Sequence, residues 1–230
     1  MKKYPLLAAL LLLGFACSPD NKTDLMVVEG RVEGLKKGIL YLQHVADSTL
    51  QSVDSIQMRG DGAFRLQAIV SEPDLYYLYL DNADNNRLDD RISFFGEPGN
   101  YRIQTSWNGF EKDAEIKGPA SQEAYQTFRE TMSRFRLEEL ALLKAMAGLE
   151  MPGDSSRIDS LENALDRNLK RRYGYALNFA FSHKDSHLAP FIASTEVADA
   201  NPKYLDSVYR VLPPHIAESK YGKILKGLLD

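Results

Sequence analysis

The chain has 230 residues, a formal net charge of −4 at pH 7, 44% hydrophobic residues and one cysteine, Cys17. This length is sufficient for one large domain or two small ones, and a weakly acidic chain with both signs spread throughout is not typical of a nucleic-acid-binding protein. A single thiol excludes an intrachain disulfide and a Cys-x-x-Cys redox pair.

The first seventeen residues have the pattern of a lipoprotein export signal. Lys2 and Lys3 precede an unbroken apolar run, residues 5–16, that ends at Cys17. A membrane-spanning helix needs about 20 apolar residues, so this shorter run fits a secretory signal. The residues before Cys17 resemble a lipobox, although its usual leucine is displaced by one place, to Leu13. We expect cleavage before Cys17 and lipidation there; a plain secretory signal and an uncleaved anchor are the alternatives.

Lipidation at Cys17 would attach the protein to the membrane and use the only thiol, which excludes thiol catalysis. Removal of residues 1–16 takes away two lysines and leaves a net charge of −6. Two or more acyl chains hold a protein stably on a bilayer. The expected location is the cell envelope of a Gram-negative bacterium. Ser18, in place of the aspartate of inner-membrane retention, favours the outer membrane, facing the periplasm or the cell surface.

Four segments follow from the pattern of the chain: a signal peptide (1–17), a polar tether (18–24), a β-sandwich domain (25–118) and an α-helical domain (119–230). In the third segment, short apolar alternations are separated by Gly, Asn and Asp, which is typical of strands. Eight such runs predict an antiparallel sandwich or barrel. The sequence Arg59-Gly60-Asp61-Gly62 predicts a tight hairpin. The runs are LMVVEGRVEG, GILYLQHV, LQSVDSIQM, AFRLQAIV, LYYLYLD, RISFF, YRIQTSW and AEIKG.

After Gly118-Pro119 the apolar residues recur at helical spacing. Ser121 is the expected N-cap of a first long helix, residues 151–154 interrupt it, and a second long helix begins near Ser155. Two long helices with a short break predict an antiparallel hairpin. Shorter helices are expected around residues 189–195, 203–211 and 216–229.

Several motifs resemble a known family. They include Val28-Glu29-Gly30-Arg31-Val32-Glu33-Gly34-Leu35, Gly60-Asp61-Gly62-Ala63-Phe64 and Ser219-Lys220-Tyr221-Gly222. In this order they resemble the N-terminal domain of unknown function, with its following helical segment, of Bacteroidota-type lipoproteins related to thioredoxin-like thiol-disulfide oxidoreductases. The resemblance covers about residues 25–229. It implies a thioredoxin domain next, whereas this sequence contains neither that domain nor its cysteine pair.

Two groups of polar residues contain side chains that could bind a metal ion. The segment 81–90 is rich in oxygen ligands, but its spacing does not fit an EF-hand loop, so a solvated loop between strands is the prediction. His183 and His187 are four residues apart, which would place both imidazoles on one face of a helix. The residues between them predict a helix end instead. The prediction is therefore no metal, and no other cofactor.

Aromatic residues are concentrated in the strand region, as on a sugar-binding or peptide-binding face. Strand alternation places Tyr77 and Tyr79 on one face and Tyr76 on the other, so we expect both faces of this strand to be buried or covered, with the helices as the cover. An exposed binding face is the alternative. The full set is Tyr76, Tyr77, Tyr79, Phe94, Phe95, Tyr101 and Trp107.

The sequence as a whole predicts an α+β protein with a non-catalytic binding or scaffolding role and an unknown ligand. It contains no Gly-x-Ser-x-Gly nucleophile motif and no glycine-rich phosphate loop. Its expected contacts are the membrane, through the N-terminal lipid, and an envelope protein. An alternative role is that of an accessory or docking partner for a separate thioredoxin-like or nutrient-uptake system.

Overall fold

The computed structural model describes residues 24–46, 48–81, 91–149 and 154–229. Eight strands in two open sheets are followed by helices, which confirms the predicted α+β class. The strands are β1 (Leu25–Glu33), β2 (Lys37–Ala46), β3 (Thr49–Arg59), β4 (Ala63–Ile69), β5 (Asp74–Asp81), β6 (Arg91–Gly96), β7 (Gly99–Ser106) and β8 (Glu115–Lys117). The helices are α1 (Ala120–Ala147), α2 (Ser155–Ser182), α3 (Leu188–Thr195), α4 (Pro202–Arg210), α5 (Pro214–Ala217) and α6 (Lys220–Gly227).

Each sheet of the sandwich has four strands. The first has the order β4-β1-β7-β8 and the second the order β3-β2-β5-β6. Strands β3 and β4 lie at corresponding edges of the two sheets and are joined by the Arg59-Gly60-Asp61-Gly62 turn. The opposite edges, β8 and β6, have no such connection. The sandwich therefore has one side that the chain closes and one side that stays open.

Two details differ from the sequence prediction. Strand β1 pairs in parallel with β7, so the sandwich is not purely antiparallel. Gly30 allows this close approach, because a Cβ atom there would lie 1.7 Å from the carbonyl oxygen of Ile103 on β7. The Asp-Gly turn has the positive φ expected at Gly60 and Gly62. It does not form a paired hairpin, however, since β3 pairs with β2 and β4 pairs with β1.

The second sheet contributes to two hydrophobic cores. Its inner face, which includes Leu78 and Phe94, packs against the first sheet. Phe95, the next residue along β6, points the other way and packs among helical residues such as Phe191 and Tyr125, with ring centroids 5.4 and 6.0 Å away. Because neighbouring residues of a strand point to opposite faces, one strand joins the sandwich to the helices.

The first helix begins without the predicted cap. Pro119 occupies the N-cap position and makes no side-chain cap hydrogen bond. Ser121 is already inside the helix, and its hydroxyl donates to Glu97 Oε2 of the β6–β7 turn at 2.8 Å. The prediction that Ser121 is the N-cap is therefore wrong, while the start of α2 at Ser155 is confirmed.

A buried carboxylate joins the sandwich to the last helix. Asp74, at the start of β5, is 8% exposed. It accepts hydrogen bonds from Lys220 Nζ at 2.6 Å and from the Tyr221 hydroxyl, both on α6. The backbone N–H of Lys220 donates to Glu72 Oε2 at 2.8 Å. These contacts fix α6 beside the start of β5.

The distal half of the α1–α2 hairpin extends beyond the helical core. The buried residues of α1 lie between Gln122 and Met132, and those of α2 between Asn168 and Ala180. Glu138, which lies beyond Met132 on α1, is paired with Arg171 of α2 at 2.6 Å. Over the described part of the chain, no helix combines the length and the apolar content that crossing a bilayer requires.

Candidate functional site

The open side of the sandwich contains a cleft of about 500 Å³ between α1 and the strands β6 and β8. This volume is within the range of small-ligand sites. Apolar residues, including the buried Ile92, lie beside charged residues of α1 and of the β7–β8 loop. The described lining residues are Ile92, Ser93, Glu111, Lys112, Ala114, Ile116, Gln122, Gln126, Arg129, Glu130, Ser133 and Arg136.

Helix α1 closes the hydrogen-bonding edge of β6 along this cleft. Gln122 is 2% exposed, and its Oε1 accepts the backbone N–H of Phe95 at 2.8 Å. Two residues earlier on the same strand, Arg129 Nη1 donates to the carbonyl oxygen of Ser93 at 3.0 Å. An edge strand whose polar groups are satisfied in this way is protected from pairing with another chain. At Ser93 and Phe95, the edge of β6 is therefore occupied by side chains of α1 and is not available to another strand.

Arg129 is the best-placed cation of the cleft. Its hydrogen bond to Ser93 uses one of the five guanidinium N–H donors, and the group also lies 5.8 Å from the ring of Tyr125. Within the described residues, Arg129 makes no ion pair with a carboxylate. By contrast, Arg136 is paired with Glu196 at 2.9 Å. Arg129 is thus held in position with donors left for a ligand.

The chemistry of the cleft is that of polar recognition. Its described lining supplies arginine, lysine, glutamate and glutamine side chains and two serines, Ser93 and Ser133. None of the described lining residues is a histidine, and no hydrogen bond pairs either serine hydroxyl with a base in this part of the chain. The arrangement can orient a ligand that carries acceptor oxygens, with Arg129 and Lys112 as the donors.

The structure separates the aromatic residues that the sequence placed together. Tyr76, Phe94 and Tyr101 are buried in the sandwich core. Phe95 is in the helical core, and Trp107 is 47% exposed near Gly34. These residues do not form one binding face.

Tyr77 and Tyr79 share one face of β5, as alternation predicted; this is the outer face of the second sheet, and both residues are half-buried. Burial, with the nearby charge of Asp74, raises the pKa of Tyr77. The helical core covers the end of this face at Leu75 and Phe95. The helices therefore cover part of this face.

The sequence did not identify the partners of Tyr79. The ring of Tyr41 on β2 stacks on it with a centroid distance of 5.9 Å, and the Arg91 guanidinium of β6 lies 5.0 Å from its ring. These three residues form a row across β2, β5 and β6 because they occupy one register level. Pairing of separate strands determines such a row, and no local motif encodes it.

The histidines are placed as the helix-end prediction requires. Helix α2 ends at Ser182, His183 follows it, and His187 precedes α3. His183 Nδ1 lies 2.8 Å from the carbonyl oxygen of Phe179. Across residues 24–229, with the undescribed positions left out, no group of three or more His, Cys, Asp or Glu side chains could hold a metal ion.

Two further predictions concern parts of the chain without described coordinates. Cys17 precedes the first described residue, Asp24, so its lipidation stays a prediction. Of the segment 81–90 only Asp81 is described, as the last residue of β5. The cleft itself was not predicted, because its lining comes from four separate parts of the chain.

A search of curated proteins found none that matches this chain. A family model described as a domain of unknown function (DUF4369) matches part of the chain. The matched region, residues 26–125, contains all eight strands and the first turn of α1. The part of this chain that is similar to DUF4369 is therefore its β-sandwich.

Proposed function

We propose that this protein is a non-catalytic binding or scaffolding module of the cell envelope, anchored by lipid at Cys17. The observation that carries the binding role is the cleft, in which Arg129 is fixed by Ser93 and Tyr125 and retains free donors. The anchoring role rests on the sequence pattern of residues 1–17. The cleft then holds a ligand close to a membrane.

The ligand class follows from the charges of the cleft. Three cationic side chains, Lys112, Arg129 and Arg136, line it together with two glutamates, and Arg136 is already paired. Guanidinium groups bind carboxylate and phosphate oxygens through parallel hydrogen bonds. The site thus suits a polar ligand with an anionic group, placed against Arg129.

Photocrosslinking in cells tests the cleft. Benzoylphenylalanine at Gln126, which lines the cleft, is expected to give a discrete adduct on irradiation. Thr127, the next residue of α1, is exposed and is not a lining residue, so the same probe there is the matched control. Arg129→Glu should remove the Gln126 adduct, because it replaces the donor with a repelling charge.

Two results would oppose the binding role of the cleft. One is equal labelling from positions 126 and 127. The other is a Gln126 adduct that persists at full yield in the Arg129→Glu variant. As a control for a charge reversal elsewhere on α1, Lys144→Glu should leave the adduct unchanged, since Lys144 lies in the distal half of the helix.

A second candidate function is that of an accessory to a separate thioredoxin-like or nutrient-uptake protein. It is favoured by the DUF4369 match together with the motifs of residues 25–229 that resemble thioredoxin-like lipoproteins. In-cell crosslinking followed by purification from membranes should recover such a protein. Recovery of no envelope protein would count against this role.

A further inference from the structure

The outward face of α6 combines positive charge with exposed apolar side chains. Tyr221, Gly222 and Leu225 are buried, while Lys223 and Lys226 are exposed. At 100° per residue, Lys223 lies between Lys226 and Ile224 around the helix axis, and Leu228, the C-cap residue of α6, lies beyond Ile224 at the margin of the buried side. Ile224 is 44% exposed and Leu228 is 38% exposed.

The two lysines carry charge that the described protein does not neutralise. Neither Lys223 nor Lys226 makes an ion pair with a described residue, whereas Lys220 is paired with Asp74. In the last stretch of the chain the acidic residues are Glu218, which precedes α6, and Asp230, which lies outside the described residues. The outward face is locally cationic in a chain whose net charge is −4.

Helix α6 also lies close to the point where the described chain begins. The carbonyl oxygen of Asp24 accepts the backbone N–H of Val70 at 2.6 Å. Two residues further along, Glu72 accepts the backbone N–H of Lys220, the first residue of α6. Seven residues separate Cys17 from Asp24, a span of at most about 25 Å when fully extended. A lipid at Cys17 therefore keeps α6 within reach of the bilayer.

We propose that the outward face of α6 (Lys223, Ile224, Lys226 and Leu228) contacts the bilayer surface and binds anionic lipid headgroups. This inference rests on the proposed anchoring at Cys17. Lysines within a Debye length of an anionic surface are attracted to it, and exposed apolar side chains insert at the headgroup boundary. The short tether makes this contact intramolecular, so a weak intrinsic affinity is sufficient.

A lipid conjugate tests the contact without depending on lipidation in the cell. Residues 17–230, which include every described residue, are coupled through the only thiol, Cys17, to maleimide-bearing lipid in vesicles. A benzoylphenylalanine probe at Ile224 reports contact with lipid. The control probe is at Leu140 in the distal half of α1, about 30 Å along that helix from its start beside β7. The vesicles are phosphatidylcholine with or without phosphatidylglycerol.

We expect lipid adducts from Ile224 in phosphatidylglycerol vesicles at about tenfold the yield from Leu140, with a clear fall in pure phosphatidylcholine. Lys223→Glu combined with Lys226→Glu should reduce the Ile224 adduct several-fold. The matched charge change, Lys36→Glu combined with Lys144→Glu, should leave the yield of the Ile224 adduct unchanged. Equal yields at Ile224 and Leu140, or an Ile224 yield that the α6 variant leaves unchanged, would overturn the inference. The mass of Cys17 in the native protein tests the anchor separately.

Discussion

Asp74 is the residue on which the contact between the two regions depends most. It is buried, and it accepts hydrogen bonds from Lys220, Tyr221 and its neighbour Leu75. Asp74→Asn keeps the shape of the side chain and removes the negative charge that accepts these three hydrogen bonds. We expect the free energy of unfolding to fall by about 2–3 kcal/mol, as for other buried charge-assisted hydrogen bonds. Urea unfolding monitored by circular dichroism measures this.

The matched control is the same change at an exposed ion pair. Asp61 pairs with Arg31 at 2.9 Å, and both side chains are about half exposed or more. Because solvent screens such a pair, Asp61→Asn should change the stability far less than Asp74→Asn. Equal effects of the two substitutions would show that the buried contact stabilises the protein no more than an exposed ion pair does.

His187 gives the stability a dependence on pH. Burial lowers its pKa, with a smaller opposing effect from Glu72 and a further lowering from His215. A folded-state pKa below the unfolded value near 6.5 means that the unfolded chain binds the proton first as the pH falls. The stabilising contribution is therefore complete above about pH 6.5 and is lost as the pH falls below it.

The test is urea unfolding of the protein and of His187→Gln at a series of pH values from 8 to 5. The variant should lose less stability than the parent between pH 7 and pH 5, because it lacks the proton-binding site. If the two free energies of unfolding decrease in parallel over this range, His187 is not responsible.

At the residue scale, alternation along a strand was the most informative signal. It placed Tyr77 and Tyr79 on one face and Tyr76 on the other, because the face of a residue depends only on local backbone geometry. The N-cap prediction at Ser121 failed for a non-local reason, since Glu97 of a distant turn accepts its hydroxyl. Partners from elsewhere in the chain are not encoded in a short motif.

At the element scale, the α1–α2 hairpin should differ in stability along its length. No residue of α1 after Met132 is buried, and no residue of α2 before Asn168 is. Three leucines of the distal part, Leu137, Leu140 and Leu143, are between 46% and 63% exposed. Helices gain most of their stability from tertiary packing, so the distal half should open locally.

Hydrogen exchange followed by mass spectrometry measures this difference. Amides of residues 137–147 and 156–166 should exchange faster than those of residues 124–132 and 174–182. The two halves belong to the same helices, so each helix supplies its own reference. Uniform protection along α1 and α2 would contradict the expectation.

Elements were predicted more completely than their pairing. All eight strand runs and both long helices correspond to observed elements, because hydrophobic periodicity reflects burial on one face. The parallel pairing of β1 with β7 joins segments about seventy residues apart, and it leaves no trace in either segment beyond Gly30. The cleft depends on this assembly, which is why only its separate residues were visible in the sequence.

On the scale of the whole molecule, two kinds of contact join the β-sandwich to the helices. Phe95 of the sandwich packs in the helical core, and Asp74 is bonded to α6. Asp24, the described residue nearest to Cys17 in the sequence, lies close to α6. The distal half of the α1–α2 hairpin lies some 30 Å or more along α1 from the first residue of that helix. A lipid at Cys17 would thus place α6 on the membrane side of the protein.

The central claim is that lipid at Cys17 anchors this binding module, and mass spectrometry of the N-terminal peptide from purified membranes tests it most directly. We expect a peptide that begins at Cys17, with a diacylglycerol on the thiol and an acyl chain on the amine. A peptide that begins elsewhere, or one that begins at Cys17 with a free thiol, would contradict it.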